Sequence, residues 1–159
     1  MYKFWIAAVI VYSSLCLVST QATAANVFSY AQIDVPFDVR VDGTWVKVIE
    51  SREAWEAFYR ENAGKYLAPE SELNIPPQFD FDAYTVIAGG LGAGSAGRSL
   101  MIEYVKGGGS TTYVGALVLR SDGGCSITAN VTYPTIVILL PKPQGRLQLF
   151  SREAVFFCK

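Results

Sequence analysis

Five runs of β-branched and aromatic residues, separated by glycine, proline or aspartate, occupy the second half of the chain. Such runs are typical of β-strands, and apolar residues at every second position would lie on one face of a sheet. The links after the second and fourth runs are very short. Links of that length favour antiparallel neighbours, because a parallel crossover needs a dozen residues or more. The sequence therefore predicts antiparallel strands over residues 83–89, 98–105, 111–120, 133–140 and 146–157.

An amphipathic helix is predicted ahead of these strands, over about residues 52–63. Ser51 is a residue type that commonly caps a helix N-terminus, and Gly64 is placed to end the helix. Trp55 and Phe58 belong to one apolar stripe at helical spacing. The expected fold class is therefore α+β, a predominantly antiparallel β-sheet with one main amphipathic helix packed on it.

Residues 1–25 have the three-part organisation of a secretory signal peptide. A cation near the N-terminus precedes an uncharged, mostly apolar stretch, and a tail of small residues follows. The apolar stretch is too short for a stable membrane span. We expect cleavage near Ala24 or Ala25, which leaves a single domain over residues 26–159. The mature protein is then secreted or periplasmic and has no membrane span.

The mature domain retains a pair of cysteines, Cys125 and Cys158. An even pair in an exported protein indicates a disulfide, and two free thiols are the alternative. On the chain-entropy estimate, closing a loop of about 33 residues stabilises a fold by roughly 3–4 kcal/mol.

The chain contains no histidine, and its formal net charge is −1 at pH 7. Without histidine, neither a Ser–His–Asp nor a Cys–His catalytic arrangement can form, and no histidine can hold a metal. The charge is also far from the basic character of nucleic-acid-binding domains. We therefore expect no catalytic residue, no metal, no cofactor and no nucleic-acid partner.

The sequence FDFD contains a pair of carboxylates, Asp80 and Asp82, of the kind that glycosidases use as acid and base. Alternation along a strand would place both carboxylates on one face, with Phe79 and Phe81 on the other. We interpret the segment as a solvated edge above a buried aromatic pair.

A glycine-rich stretch, GLGAGSAGRS at residues 90–99, partly matches a dinucleotide fingerprint, a P-loop and a nucleophile elbow. Both phosphate-binding motifs need a helix directly after the glycines, whereas a strand-like run follows here. The elbow needs that helix and a histidine. We predict instead a mobile turn between antiparallel strands and a candidate contact loop for a partner, formed by Gly90, Gly92, Gly94, Ser95, Gly97 and Arg98.

From about Val46 to Phe150, the order of these features resembles the C-terminal domain of the PrcB family, which is named for a protease-complex subunit. The similar pieces are VIESREAWEAFY, FDFDAYTVIAGG, a glycine-rich turn leading to MIEYV, TTYVGALVLR and YPTIVILLPKP. The family typically has an aromatic residue after its glycines, whereas Arg98 and Ser99 follow here. The resemblance implies an exported, non-catalytic domain that associates with a protease or another exported protein.

Two functions remain open at this point. The first is a protein-interaction module, with an exported protease among its candidate partners, that uses the glycine-rich loop or an open sheet edge as its contact surface. The second is a small-ligand or glycan-binding β module of the bacterial envelope. That module would use exposed aromatic side chains, for which Trp45 and Tyr113 are the candidates.

Overall fold

The computed structural model describes residues 26–65, 67–68, 71–95, 97–123, 130–143 and 145–157. The predicted signal peptide and both cysteines of the mature domain lie outside these ranges, within which no helix is long and apolar enough to span a bilayer. The elements are β1 (Asn26–Val27), β2 (Ala31–Gln32), β3 (Trp45–Ile49), α1 (Arg52–Ala63), a 3₁₀ turn (Glu72–Asn74), β4 (Tyr84–Gly90), β5 (Gly94–Ser95), β6 (Arg98–Gly108), β7 (Thr111–Ser121), β8 (Val131–Thr132), β9 (Thr135–Pro141) and β10 (Arg146–Phe156).

The longer strands form two four-stranded sheets. The central sheet has the order β2-β9-β4-β3, and the outer sheet has the order β1-β6-β7-β10. The short strands β5 and β8 form a separate antiparallel pair. The structure is therefore mostly antiparallel β-sheet with one α-helix, as the predicted α+β class requires.

Two clusters of buried apolar side chains divide the residues of the central sheet between them. The helix cluster combines α1 side chains such as Trp55 with Val86, Ala88 and Val137. The inter-sheet cluster combines other residues of β4 and β9 with the outer sheet, and consists of Ile87, Ile136, Ile138, Leu140, Val105 and Val114. Successive residues of β4 alternate between the clusters, so the central sheet buries both of its faces.

This two-sided burial explains why β4 and β9 depart from the predicted period of two. Residues 85–88 of β4 are all buried, and so are residues 136–138 of β9. A strand that is covered on both faces is apolar at successive positions, because neither set of side chains meets water. In the outer sheet, β6 alternates more clearly, since one of its faces is exposed to solvent.

The pairing of the strands confirms one predicted hairpin and contradicts another. Strands β6 and β7 are antiparallel, and Gly109 in their turn has a φ of +57°. By contrast, β9 pairs with β4 in the central sheet, whereas β10 lies in the outer sheet and pairs with β7 in parallel. The prediction that β9 and β10 pair was wrong because their short link joins two different sheets, and the rule on link length applies only to neighbours in one sheet.

The helix begins and ends where the sequence predicted. The Ser51 hydroxyl accepts a hydrogen bond from the Ala54 amide at 3.2 Å, which caps the N-terminus. At the other end, the Gly64 amide donates to the Arg60 carbonyl at 3.1 Å. Trp55 is only 1% exposed, and its indole Nε1 donates to the Pro77 carbonyl at 2.9 Å.

The Trp55→Ala substitution tests whether α1 docks on the central sheet through the helix cluster, as its apolar stripe predicts. We expect the free energy of unfolding to fall by about 3–5 kcal/mol, because the change removes a large buried side chain and leaves a cavity. Leu73→Ala is the control, since Leu73 is 56% exposed. Urea denaturation measures both variants, and an unchanged midpoint for Trp55→Ala would show that the helix docks in another way.

The parallel pairing of β7 and β10 adds support to the predicted disulfide, although Cys125 and Cys158 themselves lie outside the described residues. Ser121 and Phe156, at the ends of the two strands, are register partners. The Asp122 amide donates to the Phe156 carbonyl at 3.1 Å. In the sequence, each cysteine comes a few residues after the C-terminal end of one of these strands, and the two strand ends are neighbours in the outer sheet.

We predict a Cys125–Cys158 bridge in the mature protein. Intact-mass measurement after alkylation, with and without prior reduction, should show that both thiols become available only after reduction. Loss of the bridge is expected to lower the free energy of unfolding by roughly 3–4 kcal/mol. Freely alkylated thiols in freshly purified, unreduced protein would contradict the prediction.

Candidate functional site

The first part of the glycine-rich stretch is buried and has a packing role. Gly90 is the last residue of β4, and a Cβ atom there would overlap the indole ring of Trp45. Gly92 has a φ of +69°, and a Cβ atom there would overlap the backbone of Gly43. Both glycines are buried, so the structure does not offer these two positions of the candidate contact loop as exposed surface. They are glycines because other groups approach the backbone closely.

The remaining residues of the stretch lead from the central sheet to the outer sheet. Gly94 and Ser95 form β5, in which Gly94 pairs with Thr132 of β8. The Gly97 carbonyl accepts a hydrogen bond from the Ser121 amide at 3.0 Å, and Arg98 begins β6. The predicted strand after the glycines is therefore present, in the place where a phosphate-binding motif has a helix. The stretch connects two sheets and is not a turn between paired strands, which corrects that part of the prediction.

A cavity of about 560 Å³ lies between the two sheets, and we call it the inter-sheet cavity. Small-molecule sites in proteins usually measure roughly 300–1,000 Å³, so the cavity is large enough for a ligand. Its walls are apolar side chains from both sheets, among them Ile87, Ile136, Ile138, Val114, Ala116 and Val118.

Charged residues also contribute to the cavity wall, and they include Arg152 and Glu153. Arg120 forms an ion pair with Glu153, with 2.9 Å between Nε and Oε1. Arg98 also lines the cavity and is half-buried. Within the described ranges, Arg98 has no carboxylate within ion-pair distance. Among the described residues, the cavity therefore combines a mainly apolar interior with one positive charge, that of Arg98, that no carboxylate pairs.

A second ion pair lies on β10. Arg152 donates hydrogen bonds to the carboxylate of Glu103, with 2.6 Å between Nε and Oε2. This bonding holds the pKa of Glu103 below its usual range and raises the pKa of Arg152. Because Glu103 belongs to β6 and Arg152 to β10, the pair reaches across β7 and ties the two strands together.

Strand β10 is the longest open edge in the described structure. It is 11 residues long and ends the strand order of the outer sheet. In the part of the chain that the structure describes, only β7 pairs with it. It exposes large apolar side chains, with Phe150 at 50%, Val155 at 42% and Phe156 at 41%. Unpaired backbone groups along such an edge can pair with a strand from another chain.

The two aromatic candidates for glycan binding do not form one surface. Trp45, on β3, packs toward the helix cluster, with 6.1 Å between its ring centroid and that of Phe58. Tyr113, on β7, stacks on Phe150 with a centroid distance of 6.1 Å. The two side chains therefore belong to different sheets and different neighbours.

The carboxylates of FDFD occupy a turn. The Asp80 carboxylate accepts a hydrogen bond from the Asp82 amide at 3.0 Å. The backbone carbonyl of Asp80 accepts one from the Tyr84 amide at 2.9 Å. The expected strand is absent from this segment, although both carboxylates are exposed and Phe79 and Phe81 are half-buried against the helix cluster. Among the described residues, no group of three or more Cys, Asp or Glu side chains lies close enough together to hold a metal ion.

A pair of glycine substitutions tests the packing role of the stretch. Gly92→Ala should lower the melting temperature more than Gly123→Ala. Both positions have positive φ, at +69° and +86°, but a Cβ atom at Gly123 meets nothing within 4 Å. Because both positions share the backbone strain of positive φ, the difference between the two variants reports the overlap with Gly43. We expect the free energy of unfolding of Gly92→Ala to lie about 1–3 kcal/mol below that of Gly123→Ala, as at other overpacked sites. Equal losses in the two variants would show that the close approach to Gly43 does not matter.

Comparisons of the chain with protein-family models, with curated proteins and with solved structures found no match. The resemblance to the PrcB family thus remains an expectation that rests on the order of its motifs.

Proposed function

We propose that the protein is an exported, non-catalytic interaction module that binds an extended segment of a partner protein along β10. The observation that carries this proposal is the open edge of β10, with its exposed apolar side chains. Addition of a strand to such an edge is a common mode of peptide recognition, in which backbone hydrogen bonds supply affinity and alternate side chains supply specificity.

The charged residues of β10 support this proposal, because they do not oppose pairing with a strand of another chain. Proteins commonly protect an edge strand with free charged side chains, which oppose pairing with another chain. Here Arg152 is paired with Glu103, and Glu153 is paired with Arg120. Both charged residues in the middle of β10 are thus bonded to side chains of their own sheet.

The remaining parts of the proposal rest on the sequence. Residues 1–25 support export, and the lack of histidine supports a non-catalytic role. The resemblance to the PrcB family favours a protease or another exported protein as the partner. We also propose that α1 docks on the central sheet through the helix cluster, which leaves the outer sheet free for the partner.

Photo-crosslinking in the expressing cell tests where a partner binds. A photoreactive residue at Phe156 should crosslink to a partner, whereas the same residue at Val27 should not. Val27 is a matched control because it is 84% exposed and lies on β1, the opposite edge of the same sheet. A crosslink between two copies of this chain, or equal crosslinking at both positions, would contradict the proposal.

Hydrogen exchange on the purified complex then tests the mode of binding. Strand addition should protect the amides of β10, because free N–H groups become hydrogen-bonded. Phe156→Lys should reduce capture of the crosslinked partner at least about tenfold, as expected when a charge enters an apolar contact. Val27→Lys should leave capture unchanged. Protection confined to another element would show that the partner does not add a strand to β10.

The second candidate function, a small-ligand-binding module of the bacterial envelope, is favoured by the inter-sheet cavity. Trp45 and Tyr113 lie on different sheets, so their arrangement does not favour the version of that function in which they bind a glycan together.

A further inference from the structure

We infer that the inter-sheet cavity binds an aliphatic monocarboxylate, with the hydrocarbon chain between the sheets and the carboxylate paired with Arg98. This inference is independent of strand addition at β10, because it rests on the cavity and its charge.

The size and lining of the cavity indicate an apolar ligand chain. Protein interiors are packed about as densely as organic crystals, and voids larger than a water molecule are few. A partly open cavity of about 560 Å³ therefore leaves apolar wall surface that a ligand can remove from water. The wall residues Ile87, Ile138, Val114 and Val118 offer no hydrogen-bonding side chain, so an aliphatic chain is the group that fits this space.

The positive charge of Arg98 indicates that the ligand is an anion. It lies two positions before Leu100 on β6, and strand alternation places both side chains on the cavity side. The other arginine of the wall, Arg152, is already paired with Glu103. The guanidinium of Arg98, which no carboxylate of the described residues pairs, matches one ligand carboxylate, because its parallel N–H groups can donate to both oxygens.

Gly94 gives a second reason to assign a role to Arg98. A Cβ atom at Gly94 would lie 3.1 Å from Cδ of Arg98 and 3.3 Å from one of its terminal nitrogens. Both distances are tighter than ordinary van der Waals contact, so a larger residue at position 94 would push the guanidinium away. The glycine therefore allows Arg98 to lie against β5 at the cavity wall.

A ligand can enter between the edge strands of the two sheets. The lining includes Val46 of β3 and Ser151 of β10, and these strands end their sheets in the described structure. No described strand bridges β3 and β10. An aliphatic chain can therefore enter from that side without breaking a sheet.

Calorimetric titration of delipidated protein tests the inference with three probes of the same chain length. Decanoate should bind, decanol should bind more weakly, and decyltrimethylammonium should bind least because it carries the wrong charge. Arg98→Met should weaken decanoate binding roughly tenfold to a hundredfold, since a charge-assisted hydrogen-bonded pair is lost. The same variant should bind decanol as the unmodified protein does, and Arg98→Lys should recover part of the decanoate affinity.

Ala116→Phe tests the position of the chain, because Ala116 lines the cavity and the larger ring would fill it. This variant should lose both decanoate and decanol binding, whereas Leu117→Phe, at the next position and outside the lining, should keep both. Melting curves without ligand establish that each variant is folded. If Ala116→Phe does not fold, the Arg98→Met result decides the question.

Three results would overturn the inference: no decanoate binding, equal affinity for all three probes, or unchanged decanoate affinity in Arg98→Met. Phe156→Lys separates this inference from the proposed function. That variant should lose partner capture and keep decanoate binding, so either proposal can fail while the other stands.

Discussion

Burial of the central sheet on both faces is the constraint on which the rest of the structure depends. Residues 85–88 of β4 are buried without interruption, and neither face of that strand can be left to water. One face belongs to the helix cluster around Trp55, and the other requires a second sheet. The outer sheet covers that face incompletely, and the inter-sheet cavity is the space that remains between the two sheets.

Local features of the sequence predicted local structure well, whereas the arrangement of the sheets lay beyond them. The cap at Ser51 and the apolar stripe defined α1, and the turn residues defined the hairpin of β6 and β7. The positions of β9 and β10 depend on which sheet each strand joins, and a short link is compatible with either outcome. The successive apolar residues of β4 and β9 are typical of a sheet covered on both faces, although we expected these strands to alternate with a period of two. The cavity could not be predicted, because its walls come from strands that are distant along the chain.

The glycines of the glycine-rich stretch have different packing roles. Gly90 makes room for Trp45, Gly92 for the turn at Gly43, and Gly94 for the side chain of Arg98. Each of these three glycines is explained by a different close approach between groups of the protein. The glycines could be identified from the sequence, whereas the groups that they contact are defined by the arrangement of both sheets.

The parallel pairing of β7 and β10 has a consequence for how the chain folds. Thr111 of β7 lies beside Arg146 of β10, and β9, which lies between them in sequence, belongs to the other sheet. Pairing between segments that are this distant in sequence carries a loop-closure cost and slows folding. Before β10 pairs with it, that edge of β7 is unpaired, and unpaired strand edges promote aggregation. The rate of arrival of β10 should therefore decide, during refolding, how much of the protein reaches the native state and how much is lost to intermolecular assembly.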